Sequence, residues 1–436
     1  MTRWIMTLCA IPLMCIASCA QVAKPAGKPQ PNSEALHTLQ ASTILPGAYQ
    51  ISEYLPLLNG KRVGIFANHT AMVHNTHLVD TLFKLGIKIT KIFGPEHGFR
   101  GTADAGEKVE NYIDRQTGVT VVSLYGKKRK ASADDLADVD VLLFDIQDVG
   151  VRFYTFISSL QEFMESAVQH NKPLIVLDRP NPNGFYVDGP VLDTAYRSFV
   201  GMQAIPVVYG MTMGEYANYL LGEDLLDNGE MQAWRKRHQE KAATKKPLEL
   251  TVIKCRNYTH QSKYVLPEKP SPNLPDAGAI YWYPSTCFFE GTVLSEGRGT
   301  EKPFQIFGHP SLPKNLYAFT PISREGAKTP KLLNQQCYGW NISDTNEDVL
   351  KAVDNQLQLH WLLQAYKLFP QKDQFFIVPK KDNVKPTEIF FNKLAGNNDL
   401  MQQIIAGKSE AEIRASWQPK LDAFKKIRSK YLLYAE

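Results

Sequence analysis

The sequence predicts an α/β protein, with a Rossmann-like, doubly wound, mostly parallel sheet and a smaller C-terminal α+β domain. From about residue 60, short apolar runs alternate with stretches that have helical spacing. Buried runs separated by helices of this length are typical of parallel sheets. Each run also ends in a cluster of polar residues, and after residue 300 the alternation stops. These observations separate a long first part of the chain from a shorter second part.

The elements of the first part are predicted from its apolar runs, taken in chain order. The first run ends in the polar loop Asn68-His69-Thr70, and the helical stretch after it stops at Gly86. The same pattern recurs further along. We predict strands at 62–66, 87–93, 119–124, 139–146 and 173–177, and helices at 77–85 and 156–170.

The second part is predicted to contain more helix than strand. Apolar residues recur at helical spacing over 352–368 and 400–406, and 375–377 reads as a short strand. Residues 409–434 predict one or two helices broken near Pro419. We place the domain boundary between 43–275 and 276–436, with the second domain closing one wall of a cleft. The charge-dense stretch 231–247 is interpreted as a solvated helix or loop.

No nucleotide cofactor is expected from the glycine pattern. The sequence lacks a GxGxxG motif after the first strand, and the nearest phosphate-type loop, 101–106, is followed by Glu107 where a P-loop needs lysine. We therefore predict a Rossmann-like sheet without a cofactor.

Composition excludes several classes of protein. The 436 residues are 44% apolar and 21% charged, which is ordinary for a folded chain of two or three domains. Lysine and arginine (49) exceed aspartate and glutamate (44) by only five charges, spread evenly along the chain. This excess is too small to predict a nucleic-acid surface, and we expect no protein partner.

The N-terminus has the pattern of a bacterial lipoprotein signal. Arg3 precedes a short apolar run, which ends in Ile16-Ala17-Ser18-Cys19. Residues 1–18 are thus a predicted signal peptide, Cys19 a predicted lipidation site, and 19–42 a flexible tether. Ala20, by resemblance to Gram-negative lipoproteins, favours a periplasmic location with the lipid in the outer membrane. The alternative is a secretory signal with an incidental cysteine.

The cysteines do not form a disulfide framework. The mature chain would keep Cys255, Cys287 and Cys337, which are widely separated in the sequence. Three such residues allow at most one disulfide, and they do not have the spacing of a metal site.

Polar clusters follow the predicted strands and mark a candidate active site. In open α/β sheets ligands bind beyond the carboxyl ends of the strands, where the loops converge. Six clusters fall at this edge: Asn68-His69-Thr70, the loop 94–101, Tyr125-Gly126, the loop 145–148, the loop 178–181 and Tyr209-Gly210.

Glu96 is the first catalytic candidate. Gly94-Pro95 and Gly98 hold it in a tight turn at a strand end, with His97 and Arg100 beside it. A stiff turn is how a loop carboxylate keeps a fixed geometry. The alternative is a turn carboxylate that caps the next segment.

The loop after the fourth predicted strand carries more candidates. Asp145 and Asp148 flank Gln147, and we expect one of the two aspartates to be structural. Arg152 and Tyr154 follow, and an arginine here would hold a substrate carboxylate in a bidentate manner or merely brace the loop. His69, His97 and Asp104 lack the regular spacing of metal ligands, so we predict no metal.

A second cluster lies in residues 270–300. It contains Asn273, the aromatic run 281–283, and the loop 289–300 with Glu290, Glu296 and Arg298 between glycines. The aromatic residues would suit stacking on a sugar face, or else form a core strand.

Together these segments resemble a known family. GPEHGFRG, DIQDVGVRFYTF, DRPNPNG, SPNLP and FEGTVLSEGRGT are similar, in order from about residue 55 to the C-terminus, to the exo-β-N-acetylmuramidase family (NamZ-like, glycoside hydrolase family 171). The resemblance implies removal of terminal β-1,4-linked N-acetylmuramic acid from the non-reducing end of peptidoglycan fragments. Its implied fold is a Rossmann-like part and a smaller C-terminal part with a cleft between them.

The resemblance also suggests roles for individual residues. Glu96 lies in the GPEHG motif as acid/base or nucleophile, and its partner would be Asp145, Glu290 or Glu296, since glycosidases usually need two carboxyl groups. A substrate-assisted route, with Asp or Tyr orienting the 2-acetamido group, is also open. Arg152, Arg179 or Arg298 would bind the lactyl carboxylate. The substrate-binding residues predicted in full are Asn68, His69, His97, Arg100, Gln147, Arg152, Tyr154, Arg179, Asn181, Tyr209, Asn273 and Arg298.

Two other functions compete with this one. A non-catalytic periplasmic lipoprotein could hold muropeptides in the same cleft, because fold alone does not settle function. An esterase or amidase is disfavoured, since the sequence has no GxSxG motif and no cysteine near the polar edge.

Overall fold

A seven-stranded sheet organises the first part of the chain. The computed structural model describes residues 43–96, 98–100, 110–226 and 248–436. The strands of this part are β1 (Arg62–Ala67), β2 (Met72–Val73), β3 (Thr76–His77), β4 (Lys88–Gly94), β5 (Tyr112–Ile113), β6 (Thr120–Ser123), β7 (Val141–Asp145), β8 (Leu174–Leu177) and β9 (Leu250–Ile253). The sheet has the order β5-β6-β4-β1-β7-β8-β9, and β2 pairs with β3 in a separate hairpin.

The strand order is that of a Rossmann-like sheet. Every neighbouring pair is parallel except β5 and β6. From β1 the chain moves outward to β4 and β6, then returns to the other side of β1 to form β7, β8 and β9. The order therefore reverses between β1 and β7, and such a switch point opens a crevice at the carboxyl edge. The predicted doubly wound fold is confirmed.

Helices cover both faces of this sheet. They are α1 (Ile51–Leu58), α2 (Leu78–Lys84), α3 (Ala133–Leu136), α4 (Phe156–Gln169) and α5 (Met213–Gly222). In α5, the Thr212 side chain accepts a bond from the Glu215 backbone, and the Glu215 carboxylate accepts one from the Thr212 N–H. This reciprocal cap satisfies two backbone donors at the helix start. The predicted strands and the helices near 77–85 and 156–170 are observed within a few residues of their expected ends.

The second part contains six α-helices and a small antiparallel sheet within the described residues. The helices are α6 (Ala277–Thr286), α7 (Asn346–Val353), α8 (His360–Leu368), α9 (Phe390–Ala395), α10 (Asp399–Ile405) and α11 (Glu410–Arg428). The sheet has the order β10 (Ile306–His309), β12 (Cys337–Asn341), β11 (Tyr317–Phe319). A smaller α+β part is thus confirmed.

Three predictions for the second part were wrong in detail. The stretch 352–368 is divided between α7 and α8, because Asp354 adopts a left-handed conformation (φ 48°) and ends α7. Residues 375–377 form no strand, and Phe376 makes only a single bridge to Thr292. Helix α11 continues through Pro419.

The helix survives Pro419 because its buried face is continuous. Ile413, Trp417, Leu421 and Phe424 are all buried, at spacings of three and four residues on both sides of the proline. Packing of that face offsets the backbone hydrogen bond that proline cannot donate.

The two parts share one apolar core. Val149, Phe153 and Val207 of the first part lie in the same buried cluster as α6, α8 and α11. Residues Thr43–Glu436 form one compact unit. The predicted division at 275/276 falls just before α6, and as a domain boundary it stays a prediction.

Several expectations lie outside the described residues. They are the signal peptide, Cys19 and the tether (1–42), His97, the loop 101–109, and the whole charged stretch 231–247. Within the described ranges, no helix is long and apolar enough to cross a membrane. In those ranges Cys255, Cys287 and Cys337 are buried free thiols.

Candidate active site

The carboxyl edge of the sheet gathers polar side chains at the switch point. The register pairs Ala67 of β1 with Asp145 of β7, so the loops after these strands start side by side. On the other side of β1, β4 ends at Gly94 and its loop leads directly to Glu96. The clusters that follow β1, β4, β6 and β7 therefore meet around one crevice.

Glu96 lies half-buried in a turn whose shape depends on glycine. A Cβ on Gly94 would come within 3.0 Å of the Phe99 backbone nitrogen. Gly98 has a positive φ of 72° and donates its N–H to the Pro95 carbonyl. The Tyr125 hydroxyl, from the loop after β6, donates to Glu96 Oε1 at 2.8 Å. A phenol thus fixes one oxygen of the leading catalytic candidate.

Arg100 braces this turn from behind. Its guanidinium donates to both oxygens of Asp80, at 2.9 and 3.0 Å, and to those of Asp114, at 3.2 and 3.0 Å. The two carboxylates hold the pKa of Arg100 above its ordinary value despite its partial burial. Arg100 therefore ties the loop to α2 and β5, and positions Glu96 indirectly.

Asp148 is a buried carboxyl group held by neutral donors. Its Oδ2 accepts from the Tyr209 hydroxyl at 2.5 Å and from the Gly150 N–H at 2.6 Å. Burial raises the pKa of Asp148 to about 7, although these donors oppose the shift. Its Oδ1 is buried and has no hydrogen-bond partner among the described residues. A group that titrates near neutral pH in a crevice is a candidate for binding or proton transfer.

Tyr154 and His69 close the other side of the crevice. The Tyr154 hydroxyl donates to the Pro270 carbonyl at 2.7 Å, and His69 Nε2 lies 2.8 Å from the Lys269 carbonyl. Burial raises the pKa of Tyr154, and the nearby charges of Asp148 and Glu96 add to that shift. The charges of both carboxylates therefore act on the Tyr154 phenol.

Asn68 is fully buried beneath His69. Its Oδ1 accepts from the Thr70 backbone N–H at 3.0 Å and from the Thr70 hydroxyl at 2.6 Å. The Thr70 oxygen in turn accepts from the Gln147 N–H at 3.0 Å, which joins the loops after β1 and β7. Asn68 Nδ2 is buried without a partner among the described residues.

Asp145 and Arg179, predicted as catalytic and substrate-binding residues, form a buried ion pair. Arg179 donates to both oxygens of Asp145, at 2.5 and 2.8 Å, and to the Met72 carbonyl at 3.0 Å. Their side chains are 0% and 2% exposed. The pair joins the ends of β7 and β8.

Arg152, predicted to bind a substrate carboxylate or to brace the loop, lies in the interior. It is 0% exposed, and its guanidinium donates to the carbonyls of Pro190, Ile205 and Leu394. Burial without a carboxylate lowers the pKa of Arg152 to about 9. Arg152 links the two parts of the chain through its bond to α9.

Gln147 and Asn181 support the loops and do not line the crevice. Gln147 Nε2 donates to the carbonyls of Asp148 and Pro180, both at 2.8 Å. Asn181 Nδ2 donates to the Met211 carbonyl, and the Asn181 side chain packs where a Cβ on Gly150 would lie. Tyr209 acts through its bond to Asp148.

The second predicted cluster is a separate network of charges. Arg298 pairs with Glu290 at 2.8 Å and with Glu296 at 3.4 Å, and Lys331 lies 2.8 Å from Glu296. Asn273 donates to the Gly326 carbonyl. Two cations thus neutralise Glu290 and Glu296, which are two of the three candidates for the partner of Glu96. Arg298 is 24% exposed, so it is more accessible than Arg152 and Arg179.

Of the two interpretations of the aromatic run, the core placement is confirmed, but the segment is a helix and not a strand. Tyr281, Trp282 and Tyr283 lie on α6 and are 1%, 2% and 7% exposed. The Trp282 indole N–H donates to the Ile342 carbonyl. These rings belong to the core as helical residues.

A cavity opens beside His69. It measures about 170 Å³ and is lined by His69, Lys269, Ser271, Pro272 and the carboxylates of Glu268 and Glu325. A larger cavity of about 400 Å³ shares Pro272 and Glu325 with it. The crevice therefore continues into a groove toward the second part of the chain.

No metal centre is built from the described residues, among which no three His, Cys, Asp or Glu side chains are grouped to hold an ion. His97 and Asp104 lie outside those residues.

The sequence reasoning did not single out two groups that matter here. Tyr125 was seen only as part of a polar cluster, because nothing local shows that it reaches Glu96, 29 residues earlier. Asp148 was passed over in favour of Asp145. The available signal was Arg179 at the end of the neighbouring strand, which marks Asp145 as the paired carboxylate.

Comparisons with known proteins agree with this architecture. Two family models match the chain, described as the N-terminal and C-terminal parts of exo-beta-N-acetylmuramidase NamZ, at residues 63–278 and 281–434. The peptidoglycan beta-N-acetylmuramidase NamZ of Bacillus subtilis (strain 168) is 37% identical over 412 residues, or 90% of each chain.

Crystal structures of two DUF1343 family proteins from Bacteroides fragilis NCTC 9343 are also similar. The first superposes with a TM-score of 0.77 and 42% identity, covering 91% of this chain and all of the other. The second gives a TM-score of 0.70 and 28% identity, covering 90% and 99%.

Proposed function

Because this chain belongs to the exo-beta-N-acetylmuramidase NamZ family, we propose that it is an exo-acting glycosidase of peptidoglycan. It releases terminal β-1,4-linked N-acetylmuramic acid from the non-reducing end of peptidoglycan fragments, in cell-wall turnover. Support comes from the Bacillus subtilis relative, whose name states peptidoglycan beta-N-acetylmuramidase and which matches 90% of this chain.

The observation that carries the proposal is the placement of Glu96. It lies half-buried at the switch point, in a glycine-shaped turn, with Tyr125 donating to Oε1. Glycoside hydrolysis needs a carboxyl group that protonates the leaving oxygen and later activates water. Glu96 is the carboxylate at this edge that has both a fixed geometry and access from the crevice, so it takes this role.

Ion pairing narrows the choice of the second catalytic carboxyl group. Asp145, Glu290 and Glu296 are each paired with a cation, whereas only neutral donors hold Asp148. A cation at this distance holds a carboxylate in its ionised form and occupies its oxygens. Asp148 therefore replaces these three as the partner of Glu96. Of the three arginines predicted to bind the lactyl carboxylate, Arg298 is the partly exposed one, and its role stays a prediction because Glu290 and Glu296 already pair with it.

The N-terminus supports a proposed location. The Ile16-Ala17-Ser18-Cys19 sequence is consistent with lipidation of Cys19 and a periplasmic enzyme held at the outer membrane. Labelling cells with an alkyne fatty acid should tag the wild-type protein and not Cys19→Ala. Equal labelling of both would contradict the anchor.

Hydrolysis of chromogenic sugars tests the activity. The purified protein is incubated with para-nitrophenyl β-N-acetylmuramide, with the corresponding glucosaminide as control, with and without EDTA. Release from the muramide alone, unchanged by EDTA, is the expected result. Release from both sugars would contradict lactyl recognition, and release from neither by the folded protein would favour a muropeptide-binding lipoprotein.

A further inference from the structure

Two buried polar atoms of opposite type lie without partners at the switch point. Asn68 Nδ2 is a hydrogen-bond donor on a 0% exposed residue, and Asp148 Oδ1 is an acceptor on a 5% exposed residue. Neither atom has a hydrogen-bond partner within the part of the chain that the structure describes. Leaving such a group unsatisfied costs about 1–3 kcal/mol, so most buried polar atoms in proteins are paired. The two atoms therefore indicate a ligand.

Their orientation is fixed by the other half of each side chain. Asn68 Oδ1 accepts both bonds from Thr70, which leaves the amide nitrogen as the end without a partner. Asp148 Oδ2 accepts from Tyr209 and Gly150, which leaves Oδ1. Each side chain is thus held in place before a ligand arrives, and preorganisation of this kind reduces the cost of binding.

A closed ring of contacts places both residues beside Glu96. On one side, Asn68 bonds Thr70, and Thr70 bonds the Gln147 backbone next to Asp148. On the other side, His69 contacts Lys269, and the next residue, Pro270, accepts from Tyr154. The charges of Asp148 and Glu96 both act on the Tyr154 phenol. The two unpartnered atoms therefore lie in neighbouring loops at the edge of the sheet that also carries the proposed acid/base.

A secondary amide has one N–H donor and one carbonyl acceptor, which complements this pair of atoms. We propose that Asp148 and Asn68 recognise the 2-acetamido group of the sugar at the cleavage site. Asp148 Oδ1 accepts the acetamido N–H, and Asn68 Nδ2 donates to the acetamido carbonyl. The inference rests on the proposed function, and it makes the enzyme specific for N-acetylated sugars.

Isosteric variants test this assignment through binding. Asp148→Asn presents a donor where the acetamido N–H needs an acceptor, and Asn68→Asp presents an acceptor to the carbonyl. In both variants an oxygen remains for the Thr70 or the Tyr209 and Gly150 donors. The ligands are N-acetylmuramic acid and 3-O-lactylglucose, which differ at C2. Calorimetry measures their affinities at pH 8, where Asp148 is ionised and Oδ1 is an acceptor.

Asn341→Asp is a matched control. Asn341 Oδ1 accepts from the Ser343 N–H at 3.0 Å and from its hydroxyl at 2.6 Å, the same local geometry as Asn68 with Thr70. Asn341 is exposed, so the substitution repeats the chemistry of Asn68→Asp away from the crevice.

The wild type should bind N-acetylmuramic acid at least ~10-fold more tightly than 3-O-lactylglucose, since one good hydrogen bond to a buried group is worth that much. Each folded variant should lose most of this preference while keeping its affinity for 3-O-lactylglucose, and the control should behave as wild type. A preference that survives in either variant would overturn the assignment, as would an equal loss for both ligands.

The outcome separates this inference from the proposed function. Hydrolysis of the muramide together with an unchanged preference in the variants refutes the acetamido assignment alone. A preference that the variants abolish, in a protein that hydrolyses nothing, refutes the glycosidase alone. Thermal melting shows whether each variant folds. One folded variant is enough to decide whether the acetamido assignment holds.

Discussion

A phenol hydroxyl donates to each of the two carboxyl groups proposed to react, and a cation pairs with each of three other predicted catalytic carboxylates. Tyr125 donates to Glu96 and Tyr209 donates to Asp148, whereas arginine or lysine pairs with Asp145, Glu290 and Glu296. A nearby cation locks a carboxyl group in its ionised form. A neutral donor fixes the position of the group without doing so. This difference assigns chemistry to the first pair and structure to the others.

Removing the phenol from Glu96 should slow the reaction without unfolding the protein. In Tyr125→Phe the 2.8 Å bond to Oε1 is lost. A hydrogen bond to a charged group is worth about 1.5–3 kcal/mol, so we expect kcat/KM on the muramide to fall ~10- to 100-fold. The melting temperature should change little because Tyr125 is only half-buried. An unchanged kcat/KM would show that Tyr125 does not position Glu96.

Asp148 should make stability depend on pH. Burial raises its pKa from 3.8 to about 7, so between these values the folded protein keeps a proton that the unfolded chain has lost. Its contribution to stability is therefore fully present below about pH 4 and is lost as the pH rises through 7, by up to about 4 kcal/mol. Asparagine does not ionise.

Urea unfolding of wild type and Asp148→Asn at pH 4, 6 and 8 measures this contribution. The variant should match the wild type at pH 4 and exceed it by a few kcal/mol at pH 8. A difference that does not change with pH would contradict the placement of Asp148.

At the level of elements, the Asp145–Arg179 pair joins the ends of β7 and β8. Asp145→Asn leaves a buried guanidinium with no opposite charge, and we expect a loss of about 3 kcal/mol or more in the free energy of unfolding. Asp140→Asn is the control, because Asp140 pairs with Arg62 with both side chains 39% exposed, where solvent screens the charges and the cost should be much smaller. Equal costs in urea titrations would refute the structural role of Asp145.

The elements themselves were largely predictable from the sequence. Strands β1, β4, β6, β7 and β8 are apolar runs because both faces of a parallel sheet are buried. The failures arise where tertiary packing outweighs local preference. Pro419 does not end α11, because Trp417 and Leu421 hold the helix on the core from both sides. Residues 375–377 have the composition of a strand but lack a partner strand beyond the single bridge to Thr292.

The sequence predicted where the site lies in the fold but not which side chains line it. Strand-end loops converge at a switch point whatever their sequence, so the edge that bears Glu96 followed from the fold. Which side chains face the crevice depends on long-range pairing. Arginine is a residue type suited to bind a substrate carboxylate. Arg152 nevertheless donates to three carbonyls contributed by distant segments.

On the scale of the whole molecule, the C-terminus returns to the first sheet. The Leu433 N–H donates to Glu215 at 2.7 Å, the Tyr434 hydroxyl to Asp178 at 2.6 Å, and the His260 N–H to the Ala435 carbonyl. With the shared apolar core, these bonds fasten the last residues onto the Rossmann-like part. The two parts should therefore unfold together.

Tyr434→Phe tests this coupling. The change removes one donor to the buried Asp178 and leaves the Cys255 N–H, which donates to the phenol oxygen at 2.8 Å, without its partner. We expect a loss of about 2 kcal/mol in a single unfolding transition. Tyr431→Phe is the control, because its partner Glu223 is partly exposed and its loss should cost less. Two separate transitions would contradict one cooperative unit.

The most direct test of the whole account is turnover by Glu96→Gln. The isosteric amide cannot transfer a proton, so kcat on para-nitrophenyl β-N-acetylmuramide should fall by at least ~100-fold. Binding of N-acetylmuramic acid should stay within a few-fold of wild type. Glu347→Gln, at a residue 80% exposed, controls for the substitution itself and should leave turnover unchanged. Turnover retained by Glu96→Gln would contradict the assignment of Glu96 and with it the proposed mechanism.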